Sequence, residues 1–122
     1  MGTPKDQVSC LTDTVATLIA NGQSLSPAVN VGGLRLCGIA MPAVWTGSAL
    51  TFQMSPDGGT SWVDMYDDAG AEFMIIAGAS RYLMLDPAAF AATQWLKIRS
   101  GTSAAPVAQA ADRTLNLILR GV

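Results

Sequence analysis

The stretch Ala49-Leu-Thr-Phe-Gln-Met-Ser-Pro-Asp-Gly-Gly-Thr-Ser-Trp-Val-Asp-Met-Tyr66 decides the fold class, because it reads as two strands joined by a tight turn. Leu50, Phe52 and Met54 alternate with Thr51, Gln53 and Ser55, and Val63 and Met65 alternate with Trp62 and Asp64. A period of two puts one set of side chains on the core face of a half-buried strand and the other in water. Pro56-Asp57-Gly58-Gly59 supplies the turn. Its glycines take positive φ without a Cβ clash, and the Asp57 carboxylate accepts hydrogen bonds from backbone amides just ahead of it. These residues specify a hairpin and no reaction.

Strand patterns continue on both sides of the hairpin. Upstream, residues 14–20 form the first strand and Asn21-Gly22 ends it; Val29 and Val31 alternate with Asn30 up to Gly32-Gly33; residues 34–41 then run apolar until Pro42. Residues 43–48 read as a loop that shows Trp45 to solvent. Downstream, Asp67-Asp68-Ala69-Gly70 marks a second turn, followed by strands at 72–77 and 81–85. Asp86 caps and Pro87 opens one helical turn over 88–92. In residues 94–100, Trp95 and Lys97 oppose Leu96 and Ile98, and either pair suits the core. Residues 101–111 are too poor in large apolar side chains to be core. Residues 113–120 close the chain with Leu115, Leu117 and Leu119 inward.

About eight strands with turn signals between them and hardly any helix predict an all-β chain, a single-domain β-sandwich or jelly roll. Residues 1–13, polar around Pro4 and without periodicity, are expected to be a flexible N-terminal arm ahead of a β-sandwich domain at 14–122.

Composition narrows the function classes. The chain has 122 residues, the length of one domain. Half of it is apolar and only 13% is charged, against about 25% in ordinary soluble domains, so apolar surface is expected to meet another chain. Net charge is −2 and the seven basic residues are scattered, which disfavours nucleic acid. No apolar run approaches a membrane span and no signal-peptide pattern opens the chain, so a protein made in the cytosol is expected.

There is no histidine, which removes Ser-His-Asp and Cys-His catalysis and histidine-bound zinc. Cys10 and Cys37 are too few for a four-cysteine site; their number allows one disulfide, though a cytosolic compartment keeps such thiols reduced, and Cys37 reads most simply as a small core residue. Asp57, Asp64, Asp67 and Asp68 offer oxygen ligands to a calcium ion, but turn carboxylates more often cap backbone amides, and the EF-hand spacing is missing. Asp64 and Asp67 are an improbable glycosidase pair without cleft-forming insertions. The expectation is therefore no catalytic residue, no metal and no cofactor. Of Trp45, Trp62 and Trp95, only Trp45 reads as an exposed contact for a sugar.

Two resemblances add to this. Ser55, Asp57, Gly59, Ser61 and Trp62 fit the Asp-box pattern Ser-x-Asp-x-Gly-x-Ser/Thr-Trp, which implies a structural turn without a catalytic role. One copy and no internal period exclude a propeller. More widely, residues 50–55, Asp57-Gly-Gly-Thr-Ser-Trp62, Tyr66-Asp-Asp68, Trp95-Leu-Lys-Ile-Arg-Ser-Gly-Thr102 and Ala105-Pro-Val-Ala-Gln-Ala-Ala-Asp-Arg-Thr114 resemble small structural proteins of tailed bacteriophages. Within that group the chain is most similar to head decoration, or cement, proteins. The resemblance spans roughly residues 30–120 and implies a virion location on the capsid surface, the major capsid protein as partner, and a homo-oligomer, with a trimer favoured. Pro4, Lys5, Trp45, Ala104, Pro106 and Val107 are the candidate interface residues. The alternative is a carbohydrate- or receptor-binding module of a tail fibre or spike, using Trp45 and the acidic turn.

Overall fold

A computed structural model describes residues 12–121. Nine strands follow in order: β1 (Thr12–Ile19), β2 (Val29–Asn30), β3 (Arg35–Ala40), β4 (Ala49–Ser55), β5 (Val63–Asp64), β6 (Met74–Ile76), β7 (Tyr82–Met84), β8 (Trp95–Ser100) and β9 (Arg113–Arg120). A four-stranded sheet has the order β1-β9-β3-β7. A five-stranded sheet has the order β2-β8-β4-β5, with β6 also on β4. Every ladder is antiparallel. The sheets enclose one core, and the fold is the expected all-β sandwich.

Period-two patterning builds that core. Leu115, Leu117 and Leu119 of β9, Leu36 and Ile39 of β3, Leu50 and Phe52 of β4, and Leu96 and Ile98 of β8 are all buried. Each such side chain contributes about 1.5–3 kcal/mol on leaving water. The 3-10 turn Pro87–Phe90 plugs one end of the core, with Asp86 Oδ1 accepting the Ala88 N–H at 3.0 Å as its cap. Phe90 meets Phe52 and Phe73 edge to face, at centroid separations of 5.2 and 5.6 Å, the geometry that the ring quadrupoles favour.

Several strand expectations shift. The first strand begins at Thr12, because Thr12 and Asp13 pair with Arg120 and Leu119 of β9; that ladder orders two residues assigned from sequence to the arm, and residues 1–11 lie outside the described part. The hairpin around residues 56–61 forms, but β5 holds only two residues. Past the pairs Gln53–Asp64 and Met54–Val63, β6 replaces it against β4. Val63, expected inward, is 56% exposed on β5, an edge strand of two residues. In β8 the core takes Leu96 and Ile98, which settles the face that the sequence leaves open. Cys37 is only half-buried. It falls at a register shift in β3 between Leu36 and Gly38, and its Sγ donates to the Arg35 carbonyl at 3.4 Å. Cys10 lies outside the described residues.

Candidate functional site

The turn after β4 is closed by its own side chains. Ser55 Oγ accepts the Gly59 N–H at 2.7 Å and donates to Asp57 Oδ1 at 2.9 Å. Ser61 donates to Asp57 twice, from N–H to Oδ1 at 2.8 Å and from Oγ to Oδ2 at 2.7 Å. These bonds favour the carboxylate, and those from Ser61 and Ser55 hold Asp57 down at about 2. Gly58 and Gly59 supply the positive φ, 75° and 97°. The loop folds back over the outer face of the five-stranded sheet. A Cβ added at Gly59 would stand 3.5 Å from the Trp95 ring, and Lys97 Nζ lies 4.4 Å from the Trp62 ring centroid. All five Asp-box residues thus serve the turn and its packing.

The acidic residues do not converge on a ligand. Arg99, 5% exposed on the outer face of β8, donates to Asp64 from Nη2 and to Glu72 Oε2 from Nη1 at 3.5 Å. Glu72 also accepts the Ser103 N–H at 3.1 Å, so this cluster pins residues 101–105 over the sheet. Asp67 Oδ1 accepts the N–H groups of Ala69 and Ala71, at 2.9 and 3.0 Å. A pocket of about 380 Å³ is lined by Tyr66, Asp67, Asp68 and Asp86 among others, but Asp67 and Asp86 already cap amides there. Among the described residues, no group of three or more Asp, Glu, Cys or His is placed to hold a metal.

Trp45 differs from the sequence reading. It is half-buried against the core, and its Nε1 is buried without a hydrogen-bond partner among the described residues. Loop 43–48 is drawn in by Gln109, a residue that sequence reasoning assigned to a non-core loop and that is 1% exposed. Gln109 Nε2 donates to the Thr46 carbonyl at 2.8 Å and to Ser100 Oγ at 2.6 Å. Its Oε1 accepts from the Thr46 N–H at 3.0 Å and from Arg113 Nε at 3.2 Å. Of the candidate interface residues, Ala104 and Pro106 are exposed. Val107 is half-buried, and its Cγ1 stands 3.3 Å from a Cβ added at Gly47. Pro4 and Lys5 lie outside the described residues.

The outer face of the four-stranded sheet is of another kind. The register aligns Thr14, Ile118, Gly38 and Met84 in one cross-strand row and Ala16, Asn116, Ala40 and Tyr82 in the next, with Leu18 beside Thr114. No member of these rows is charged. Met84 is 81% exposed, Tyr82 56% and Leu18 40%. These uncharged rows, bounded by Arg35 and Arg120 in the row next to Ile118, are the strongest candidate contact site among the described residues, and the sequence reading passed over them. The signal was present in Ala16, Leu18, Tyr82 and Met84, but it needed the strand order to assemble it.

No known protein family matches the chain, and no curated protein matches it. A solved structure, the crystal structure of the SPBc2 prophage-derived protein YomS, is similar over 93% of this chain and 98% of that one, with 15% sequence identity and a TM-score of 0.57. The likeness extends over the whole sandwich and is a likeness of fold.

Proposed function

We propose that the chain is a non-enzymatic structural protein of a tailed-phage particle that binds the major capsid protein shell and stabilises the head. The observation that carries this reading is the end-to-end fold likeness to a prophage-derived protein, alongside a sequence that resembles phage head decoration proteins. The physical character of the chain supports it. Asp57, Asp67 and Asp86 serve turns, Asp64 and Glu72 pair with Arg99, the chain contains no histidine, and the sheet rows through Tyr82 and Met84 expose uncharged side chains suited to protein contact. Residues Ala104 and Pro106 lie on an exposed loop available to the same shell. The carbohydrate-binding alternative loses its aromatic contact, because Trp45 is packed inward.

The test is co-sedimentation of the purified chain with expanded capsid shells that lack it. Saturable binding at a fixed ratio to the major capsid protein is expected, along with greater resistance of the shells to heat. Absence of binding to intact shells would overturn the proposal.

A further inference from the structure

Four of the five strands that border a sheet are two or three residues long: β2, β5, β6 and β7. The fifth, β1, has eight. An open edge is a template for another strand, and folded proteins blunt such edges by shortness, Lys, Pro or a bulge. Thr12-Asp13-Thr14-Val15-Ala16-Thr17-Leu18-Ile19 has none of these, and Asp13 is its only charge.

The direction of the free edge follows from the ladder. Met41 N–H donates to the Arg81 carbonyl at 2.8 Å and Leu85 N–H to the Cys37 carbonyl at 2.9 Å, so odd-numbered residues near the end of β3 face β7 and even-numbered ones face β9. Asn116 and Ile118 therefore face β3, while Leu115 and Leu117 face β1 opposite Thr17 and Val15. That leaves Thr14, Ala16 and Leu18 directed away from β9. The Thr14 N–H agrees: it donates to Asp13 Oδ1 at 2.8 Å. The N–H groups of Ala16 and Leu18 have no ladder partner among the described residues.

We propose that β1 pairs antiparallel with β1 of a second copy about a two-fold axis at Ala16, joining the two four-stranded sheets into one. Residues opposite one another in a ladder share a face, so the axis must pass through a residue; Val15 and Ala16 give equal overlap within β1, and Ala16 sets the smallest side chain of the strand against its own copy. Thr14 then opposes Leu18, Val15 opposes Thr17, and Asp13 opposes Ile19, with no like charges facing. Ala16 of each copy exchanges both backbone hydrogen bonds with its counterpart. The same operation makes the outer faces of the two four-stranded sheets continuous, doubling the contact surface described above. The contact is isologous and closes as a dimer, whereas the trimer implied by the sequence resemblance needs contacts elsewhere.

Sedimentation of the full chain, combined with amide hydrogen exchange, tests this. The wild type is expected to dimerise with concentration and to protect the Leu18 amide. Ala16→Pro removes an N–H that the β1–β9 ladder does not use, so it should give a folded monomer by circular dichroism in which Leu18 exchanges at least about tenfold faster. Ala16→Lys keeps the N–H but sets two like charges across the axis, and it should also be monomeric; it decides the matter if the proline variant does not fold. A monomeric wild type at its highest soluble concentration would overturn the inference. So would a dimer or trimer that survives Ala16→Lys with Leu18 protection unchanged.

Discussion

The outer face of the five-stranded sheet is covered by loops of this same chain, and that of the four-stranded sheet is bare among the described residues. On the first, Arg99, Asp64, Glu72 and Lys97 meet two loops that fold back over the strands, and edge strands β2, β5 and β6 are two or three residues long. The second presents Leu18, Ala16, Ala40, Tyr82 and Met84 without a covering loop among the described residues, and ends in the long edge β1. Charges inside the first surface are matched by partners of this same chain. The rows through Tyr82 and Met84 on the second carry no charge and meet no loop among the described residues, which is the character that the proposed role in an assembly asks for.

Substitutions on the two surfaces should behave accordingly. The largest effect is expected for Arg99→Met, which leaves Asp64 and Glu72 facing each other without a cation. A loss of about 3 kcal/mol in urea unfolding is predicted, because the buried cation that held two partly exposed, like-charged carboxylates side by side is gone. Unchanged stability would mean that the cluster does not hold the loop over residues 101–105. Gln109→Ala should follow, at about 2 kcal/mol, since it takes the partner from the half-buried Thr46 N–H and leaves the Thr46 carbonyl and buried Ser100 Oγ with only their long 3.5 Å contact to each other. Its thermal transition should fall with the Trp45 fluorescence environment altered, as loop 43–48 is released.

Acid sharpens the comparison further. Asp57 is held at about 2, below its ordinary 3.8, by Ser61 and Ser55, so its contribution is fully present above about pH 4 and is lost as pH falls through 2. Stability of the wild type should therefore decline between pH 4 and 2 more steeply than that of Asp57→Asn, measured by urea midpoints across that range. Equal slopes would show that the turn is not held by the carboxylate. The smallest effect belongs to the open surface. Met84→Lys, at an 81% exposed position, should change monomer stability by less than about 0.5 kcal/mol. A large loss there would mean that the face is already covered within the chain.

Local patterns were legible and long-range polar ones were not. Leu115, Leu117 and Leu119 announce their face by alternation, and Asp86-Pro87 announces a capped turn, because both depend on neighbours in sequence. Arg99 reads as a solvent-facing charge until Asp64 and Glu72, far away in sequence, are brought beside it. Gln109 carries no signal in a loop of small residues; its burial depends on Thr46 and Ser100 arriving from other parts of the chain. Trp45 was misread for the same reason, since a loop tryptophan shows its packing only when the loop is tied down. The uncharged face of the four-stranded sheet is spread over four strands whose spatial order, β1-β9-β3-β7, is not their order in the chain.

The proposed role is that of a structural component of a phage head. Quantitative peptide mass spectrometry of gradient-purified particles from the source of this chain gives the most direct test, by the copy number of this chain relative to the major capsid protein. A ratio near unity is predicted. A ratio corresponding to a few copies per particle would place the chain at a neck, fibre or spike, and absence from the particles would contradict a structural role in the virion.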